Sequence, residues 1–419
     1  MQLPIGYDNF AKIIENKLDF IDKSLLIKEL LDNVYEVILI TRPRRFGKTL
    51  NLSMLEHFFA AQAYGRLTAG LFDGLNISRC GENYLQHQGK YPVIFITFKD
   101  IKDGRYESAY ANLCQLHSAV YREHEYLLQS DQLSDADKEQ FELILRGQPG
   151  EEKIRWALKD LCYYLYRHYG ERVWLLIDEY DTPLQAAYFH GYLPPMLELM
   201  RGIFGSALKT NSYLKKGVLT GILKIAKENL FSGLNNLGAY SLLNSKYGQY
   251  FGFTEEEMTD ILKKSGLENR SKEIRDWYNG YQVGDIVVYN PWSIAKCVES
   301  NGDLQPYWVN TSGNELIKQL LAQSDETVKE DFQQILNEQP IEATINPNIV
   351  FNDLGQNRDS LYSLLLLSGY LKAIRCEQQD LEYNCLLSPP NREVFILYRS
   401  VIVSWFIDPM TRKGYERFL

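Results

Sequence analysis

The stretch Val37-Ile38-Leu39-Ile40-Thr41 runs into Arg42-Pro43-Arg44-Arg45-Phe46-Gly47-Lys48-Thr49. Leu50, Leu52, Met54, Leu55, Phe58 and Phe59 follow at helical spacing. An apolar run, a turn holding Gly-Lys-Thr and a helix start bring backbone N–H groups to a point where phosphate oxygens bind. In this reading Gly47 lets the backbone approach closely and Lys48 sets its ammonium against the β- and γ-phosphates. Thr49 offers its hydroxyl to Mg2+. Arg44, Arg45, Phe46 and Leu50 complete the candidate binding segment. The pattern G-x-x-x-x-G-K-[ST] should open on glycine, and Arg42 stands there instead. Pro43 also removes one N–H. The guanidinium groups of Arg44 and Arg45 suit phosphate geometry and are the candidates to replace the missing donors. The bland alternative is a basic strand-to-helix turn with a chance Gly-Lys-Thr.

A second constellation is the apolar run Val173-Trp174-Leu175-Leu176-Ile177, which ends in Asp178-Glu179. At the carboxyl edge of a parallel sheet, Asp178 would hold Mg2+ through its water shell. Glu179 would orient and deprotonate the attacking water. An acidic pair opening a helix is the competing explanation. Both motifs, in this order and on these element types, point to a P-loop nucleoside triphosphatase. Thr220, ending the run from Lys216 to Gly221, is either a sensor of the γ-phosphate or a strand-end threonine. Asp181 is either a helix cap or a contact for a basic partner or water. Lys224 and Lys227 face phosphate or solvent, and Arg201 is either an arginine finger or a surface arginine on a helix. Tyr7, Phe10 and Phe20 are candidates to stack on a base.

The elements that position these residues follow from periodicity. Four strand candidates, at 37–41, 92–98, 173–177 and 216–221, alternate with helical segments. That alternation predicts βαβ crossovers and a mainly parallel sheet. After residue 252 the pattern changes. Thr254 with Glu257 predicts a capping box, and Asn279-Gly280 a hairpin turn. Asn290-Pro291 predicts a helix start. Helix, helix, hairpin, helix suits a winged-helix-like region. Further helices are expected to about 371 and over 392–406, with a strand near 381–387.

With 419 residues, several domains are expected. The apolar share of 45% suffices for large cores, and the net charge of −9 disfavours a non-specific nucleic-acid coat. The six cysteines show no C-x-x-C spacing and read as scattered small hydrophobes in a reducing cytoplasm. The N-terminus has no basic stretch leading into an apolar run, so no signal peptide is expected. The most apolar run, 361–371, falls short of the ~20 residues of a membrane span and predicts a buried helix.

The chain resembles the predicted AAA-ATPase-like family of bacteria. The resemblance rests on LPIGYDNF, FIDKSLLIKELL, RPRRFGKTL, LLIDEYDTPL, LTGILKIAKENLFSGLNNL, WYNGYQ with VYNPWSI, and LLLSGYL with PPNREV. The family's own phosphate loop carries arginine-proline-arginine-arginine, so Arg42 is expected within it. The resemblance implies an α/β, additional-strand P-loop NTPase core over residues 1–252. It further implies a winged-helix-like lid over 253–310 and a helical extension over 311–419. In many relatives that extension leads into a nuclease-like domain. No strand pair here carries convincing nuclease carboxylates with a lysine, so nuclease activity is not expected.

The expected function is ATP binding and hydrolysis with Mg2+, driving a conformational switch. The alternatives are a nucleotide-binding regulatory module with little turnover and a nucleotide-regulated DNA-binding protein. DNA, a protein or a second copy of the chain are the candidate partners, and no membrane. ATP is preferred over GTP by resemblance, together with the lack of a guanine-reading N-K-x-D motif.

Overall fold

The computed structural model describes residues 1–225, 230–231, 234–311, 320–321, 324–348 and 357–407. Lys227 and part of the helical run expected before residue 371 lie outside the described residues. Contacts divide the chain into two compact units.

One unit joins Gly6–Thr41 to Lys48–Tyr240. Its strands are β1 (Val37–Thr41), the short pair β2 (Gln62–Ala63) and β3 (Arg66–Leu67), β4 (Val93–Thr97), β5 (Val173–Asp178), β6 (Leu214–Gly221) and β7 (Leu237–Tyr240). Five of them form a sheet in the order β4-β5-β6-β1-β7, and every neighbouring pair is parallel. The late strand β6 is therefore inserted between β1 and β5. Each residue of β1 and β5 is buried, which is why neither strand alternates: both faces are covered. Helix Lys48–Phe59 packs on β4, β5 and β6, and its Phe59 ring stacks on Trp174 of β5 with centroids 3.7 Å apart. Helices Glu151–Tyr169 and Leu193–Leu208 pack on each other and on β5 and β6 respectively.

Register places Thr97 beside Asp178 and Ile40 beside Thr220. The carboxyl ends of β1, β4, β5 and β6 thus meet at one sheet edge, where α/β sheets bind ligands. The strand β7 has no counterpart among the expected strands. Leu237-Gly238-Ala239-Tyr240 is short and unpatterned, and its pairing with β1 is what makes it a strand.

The other unit gathers Met1–Ile5, Arg42–Gly47 and Ser241–Leu419. Helix Glu255–Lys264 starts with the expected capping box of Thr254 and Glu257. Helix Ser271–Tyr278, the antiparallel pair β8 (Tyr281–Val283) and β9 (Ile286–Val288), and helix Pro291–Glu299 follow. Asn290 caps that last helix, accepting from the N–H groups of Trp292 and Ser293. The hairpin turn is Gly284-Asp285 and not Asn279-Gly280, which instead join helix to strand. Gly284 supplies the left-handed φ of 58° that the tight turn needs.

Residues beyond 311 contain the strand expected near 381–387, and two further strands that were not expected stand with it. Helices Glu326–Leu336, Arg358–Leu367 and Arg392–Ile407 are present. Among them lies an antiparallel sheet, β10 (Ile341–Ile345), β11 (Lys372–Gln379) and β12 (Glu382–Ser388), in the order β10-β12-β11. The strand β11 reads Lys-Ala-Ile-Arg-Cys-Glu-Gln-Gln, an edge whose polar residues hide the strand from pattern reading. The reading of the cysteines is corrected. Cys376 and Cys385 sit opposite each other across β11 and β12, with Cα atoms 4.1 Å apart, and form a disulfide. Cys114, Cys162 and Cys297 are the buried free thiols expected, and Cys80 is half-buried. No helix among the described residues is long and apolar enough to cross a membrane.

Candidate functional site

Helix Lys48–Phe59 begins with the residues expected to touch phosphate and metal. The Thr49 hydroxyl donates to Asp178 Oδ2 at 2.7 Å, and the Thr97 hydroxyl reaches the same oxygen at 3.3 Å. The Thr220 hydroxyl donates to the other oxygen, Oδ1, at 2.6 Å. Hydroxyls from two strands and one helix therefore converge on the carboxylate that ends a third strand. Asp178 is fully buried. Burial pushes its carboxyl above the usual carboxylate range; the Thr220 and Thr49 hydroxyls and the Lys48 charge oppose that, while Glu179 adds to it. Lys48 is itself buried, an ammonium that burial makes costly unless negative charge is near.

This donor set suits a small hard cation. Mg2+ keeps much of its water and binds through one or two protein oxygens plus phosphate. Thr49 and Asp178 are such a pair. Among the described residues no cluster of three or more acidic, histidine or cysteine side chains forms a metal cage of its own. A triphosphate would have to complete the shell.

Glu179 follows β5 directly and holds a left-handed φ of 48°. That conformation costs a non-glycine residue roughly 1–3 kcal/mol and clusters at functional sites. Periodicity carries no sign of it. The turn leaves Glu179 half-buried, with Thr182 Oγ1 donating to its Oε2 at 3.3 Å.

Asp181 stands at the N-cap position of helix Thr182–Phe189, one of its two readings, but its side chain does not cap that helix. It is buried, and its Oδ2 accepts from the N–H groups of Ile222 and Leu223, both at 3.0 Å, and from Gln185 Nε2 at 2.8 Å. Tyr180 works beside it: its hydroxyl donates to the Leu223 carbonyl at 2.5 Å. The run Asp178-Glu179-Tyr180-Asp181 thus ties the end of β5 to the segment that leaves β6. A Cβ at Gly221 would come within 2.6 Å of Asp181 Oδ1, so only glycine fits the crossing. Sequence reasoning missed this clamp; the glycine after Thr220 was its one visible sign.

The residues before Lys48 belong to the other compact unit. Gly47 has φ 79° and open space at its missing Cβ, so conformation rather than crowding calls for glycine there. Arg42 is wholly buried, donates to the Lys246 carbonyl at 3.2 Å, and lies over the Phe251 ring. The residue at the usual glycine position is thus structural. Arg45 stacks on Trp292 with its guanidinium 4.4 Å from the ring centre, and the Phe46 ring is buried edge-on against Tyr281. Phe46 can offer phosphate only its backbone. Arg44 and Leu50 are half-buried.

Of the remaining candidates, Phe10 is enclosed in the core, stacked on Phe72 with Phe20 edge-on, which removes it as a base reader. Tyr7 stays exposed. Arg201 is exposed on helix Leu193–Leu208, and burial lowers the pKa of half-buried Lys224.

A parallel sheet with an inserted strand, a Gly-Lys-Thr turn leading into a helix, and a carboxylate at the neighbouring strand end are consistent with a P-loop NTPase core. The family model described as "Predicted AAA-ATPase" matches residues 4–231, and the chain belongs to that AAA-ATPase-like family. It is also similar to an "Uncharacterized protein in vnfD 5'region" of Azotobacter chroococcum mcd 1, at 28% identity over 331 residues. That match covers 77% of this chain and 56% of the relative, so the chain spans about half the relative's length.

Proposed function

We propose that the protein binds ATP with Mg2+ and hydrolyses it at the edge formed by β1, β5 and β6. The observation that carries this reading is the convergence of the Thr49 and Thr220 hydroxyls on the buried Asp178 carboxylate. Thr49 and Asp178 are the residues that would hold Mg2+, which would supply charge neutralisation for the phosphates. Lys48 binds the β- and γ-phosphates as a point charge. Glu179 accepts the proton of the water that attacks the γ-phosphorus, and the β–γ bridging oxygen leaves with the bond's electron pair. Thr220 holds Asp178 in place and so positions the metal ligand. Backbone N–H groups from Arg44 to Leu50 cradle the phosphates. Residues 253–310 then act as a winged-helix-like lid, and turnover drives its movement in a cytoplasmic setting.

The test is phosphate release from Mg2+-ATP by the full chain. Lys48→Ala should abolish both binding and turnover. Glu179→Gln should bind ATP with near-native affinity while turnover drops about 10²-fold or more. Undiminished turnover in Glu179→Gln removes the general-base assignment, and unchanged binding in Lys48→Ala removes the site.

A further inference from the structure

The phosphate loop Arg42–Gly47 is grouped with Ser241–Leu419, although it is continuous along the chain with a helix of the sheet unit. The contacts inside that group are specific. The Trp308 indole N–H donates to the Arg44 carbonyl at 3.1 Å. Trp292 lies under the Arg45 guanidinium, and Tyr281 meets the Phe46 ring edge-on at 5.0 Å. Gly369 lies against Pro43, where an added Cβ would stand 2.8 Å from Pro43 Cγ.

These grips share one support. Glu393 is fully buried; it accepts from the Trp308 backbone N–H and, at 2.8 Å, from the Ser293 hydroxyl. Ser293 is the neighbour of Trp292 on helix Pro291–Glu299. One carboxylate therefore organises two of the aromatic residues that hold the loop.

The loop needs such support. It lacks the opening glycine, Pro43 removes a donor, and Arg45 holds φ 67°, a conformation that is unfavourable for a non-glycine residue. Phosphate binding depends on the N–H groups being aimed beforehand, since an unheld loop loses affinity to ordering. We propose that Trp308 and Trp292, braced by Glu393, are positioning residues that hold the phosphate loop in its binding shape, and that ATP affinity is set through them. This rests on the nucleotide reading above. By linkage, bound ATP then tightens the same aromatic cluster.

The test uses the full chain as wild type, Trp308→Phe, Trp292→Leu and Lys48→Ala. Trypsin cuts after Arg44 and Arg45 report the loop itself, with Arg42 shielded by the following proline. Calorimetry with Mg2+-ATP reports affinity. In Trp308→Phe, loop cleavage should rise and ATP Kd weaken by about fivefold, the scale of one hydrogen bond. Trp292→Leu should weaken ATP similarly by losing a cation–π contact, about two- to fivefold. Lys48→Ala should lose ATP with the loop still protected. Trp292 is half-buried, so its replacement still decides the matter if Trp308→Phe misfolds and is cut throughout. Native loop protection in folded variants overturns the clamp. Faster loop cleavage with native ATP affinity overturns the positioning role. A wild type that binds no ATP, while its loop protection still depends on Trp308 or Trp292, defeats the nucleotide reading and the positioning role but leaves the clamp standing.

Discussion

Buried ionisable side chains set this protein's response to pH one residue at a time. Glu56 is pushed from its ordinary 4.5 up to about 8, first by burial and then by the charge of Glu123, with a hydrogen bond from Tyr64 opposing. Its folded value lies above the ordinary one, so the folded chain holds a proton that the unfolded chain releases. The contribution to stability is complete below about pH 4.5 and is lost as pH rises through 8. The slope is up to about 1.4 kcal/mol per pH unit. The thermal midpoint should therefore fall between pH 5 and pH 8.5, and Glu56→Gln should flatten that fall. An unchanged slope in the variant would show that Glu56 is not the titrating group. At the same scale, Asp181→Ala strands the Ile222 and Leu223 N–H groups and should cost about 1–3 kcal/mol in urea unfolding.

Elements hold the site through a few large contacts. Helix Lys48–Phe59 carries Lys48 and Thr49 at one end and Phe59 at the other, where the ring stacks on fully buried Trp174. Phe59→Ala should destabilise the protein by about 3–5 kcal/mol. A measured loss under 1 kcal/mol would mean that the helix is anchored elsewhere. The edge of the second sheet is fastened differently, by the disulfide between β11 and β12. Alkylation in denaturant without reductant should label four of the six cysteines, and all six after reduction. Six labels without reductant would exclude the bond. Opening it should cost about 2–3 kcal/mol for so short a loop.

The whole molecule is acidic at −9, and its described residues include no helix suited to crossing a membrane. Nucleotide should act on it as a single stabilising ligand. Mg2+-ATP at a hundred times its Kd should add about 2.7 kcal/mol to wild-type stability. Lys48→Ala should gain nothing, and an equal gain in that variant would move ATP to another place on the chain.

Motif placement and covered strands were legible in the residues alone. The placement of Gly47, Lys48 and Thr49 at a strand-to-helix turn and of Asp178 at a strand end could be read because continuous apolar runs mark strands buried on both faces and the residues that follow them mark their ends. The capping residues Thr254 and Asn290 were legible because caps act over three or four positions. Other features exist only through contacts between distant segments. Pairing with β1 makes Leu237–Tyr240 a strand, β12 makes one of polar Lys372–Gln379, and side-chain packing sends Phe10 inward and Arg42 to Lys246. The left-handed turn at Glu179, the Asp181 clamp on β6 and the aromatic grip on the phosphate loop were likewise decided by tertiary structure, because local pattern records which residues are present and not which distant groups they meet.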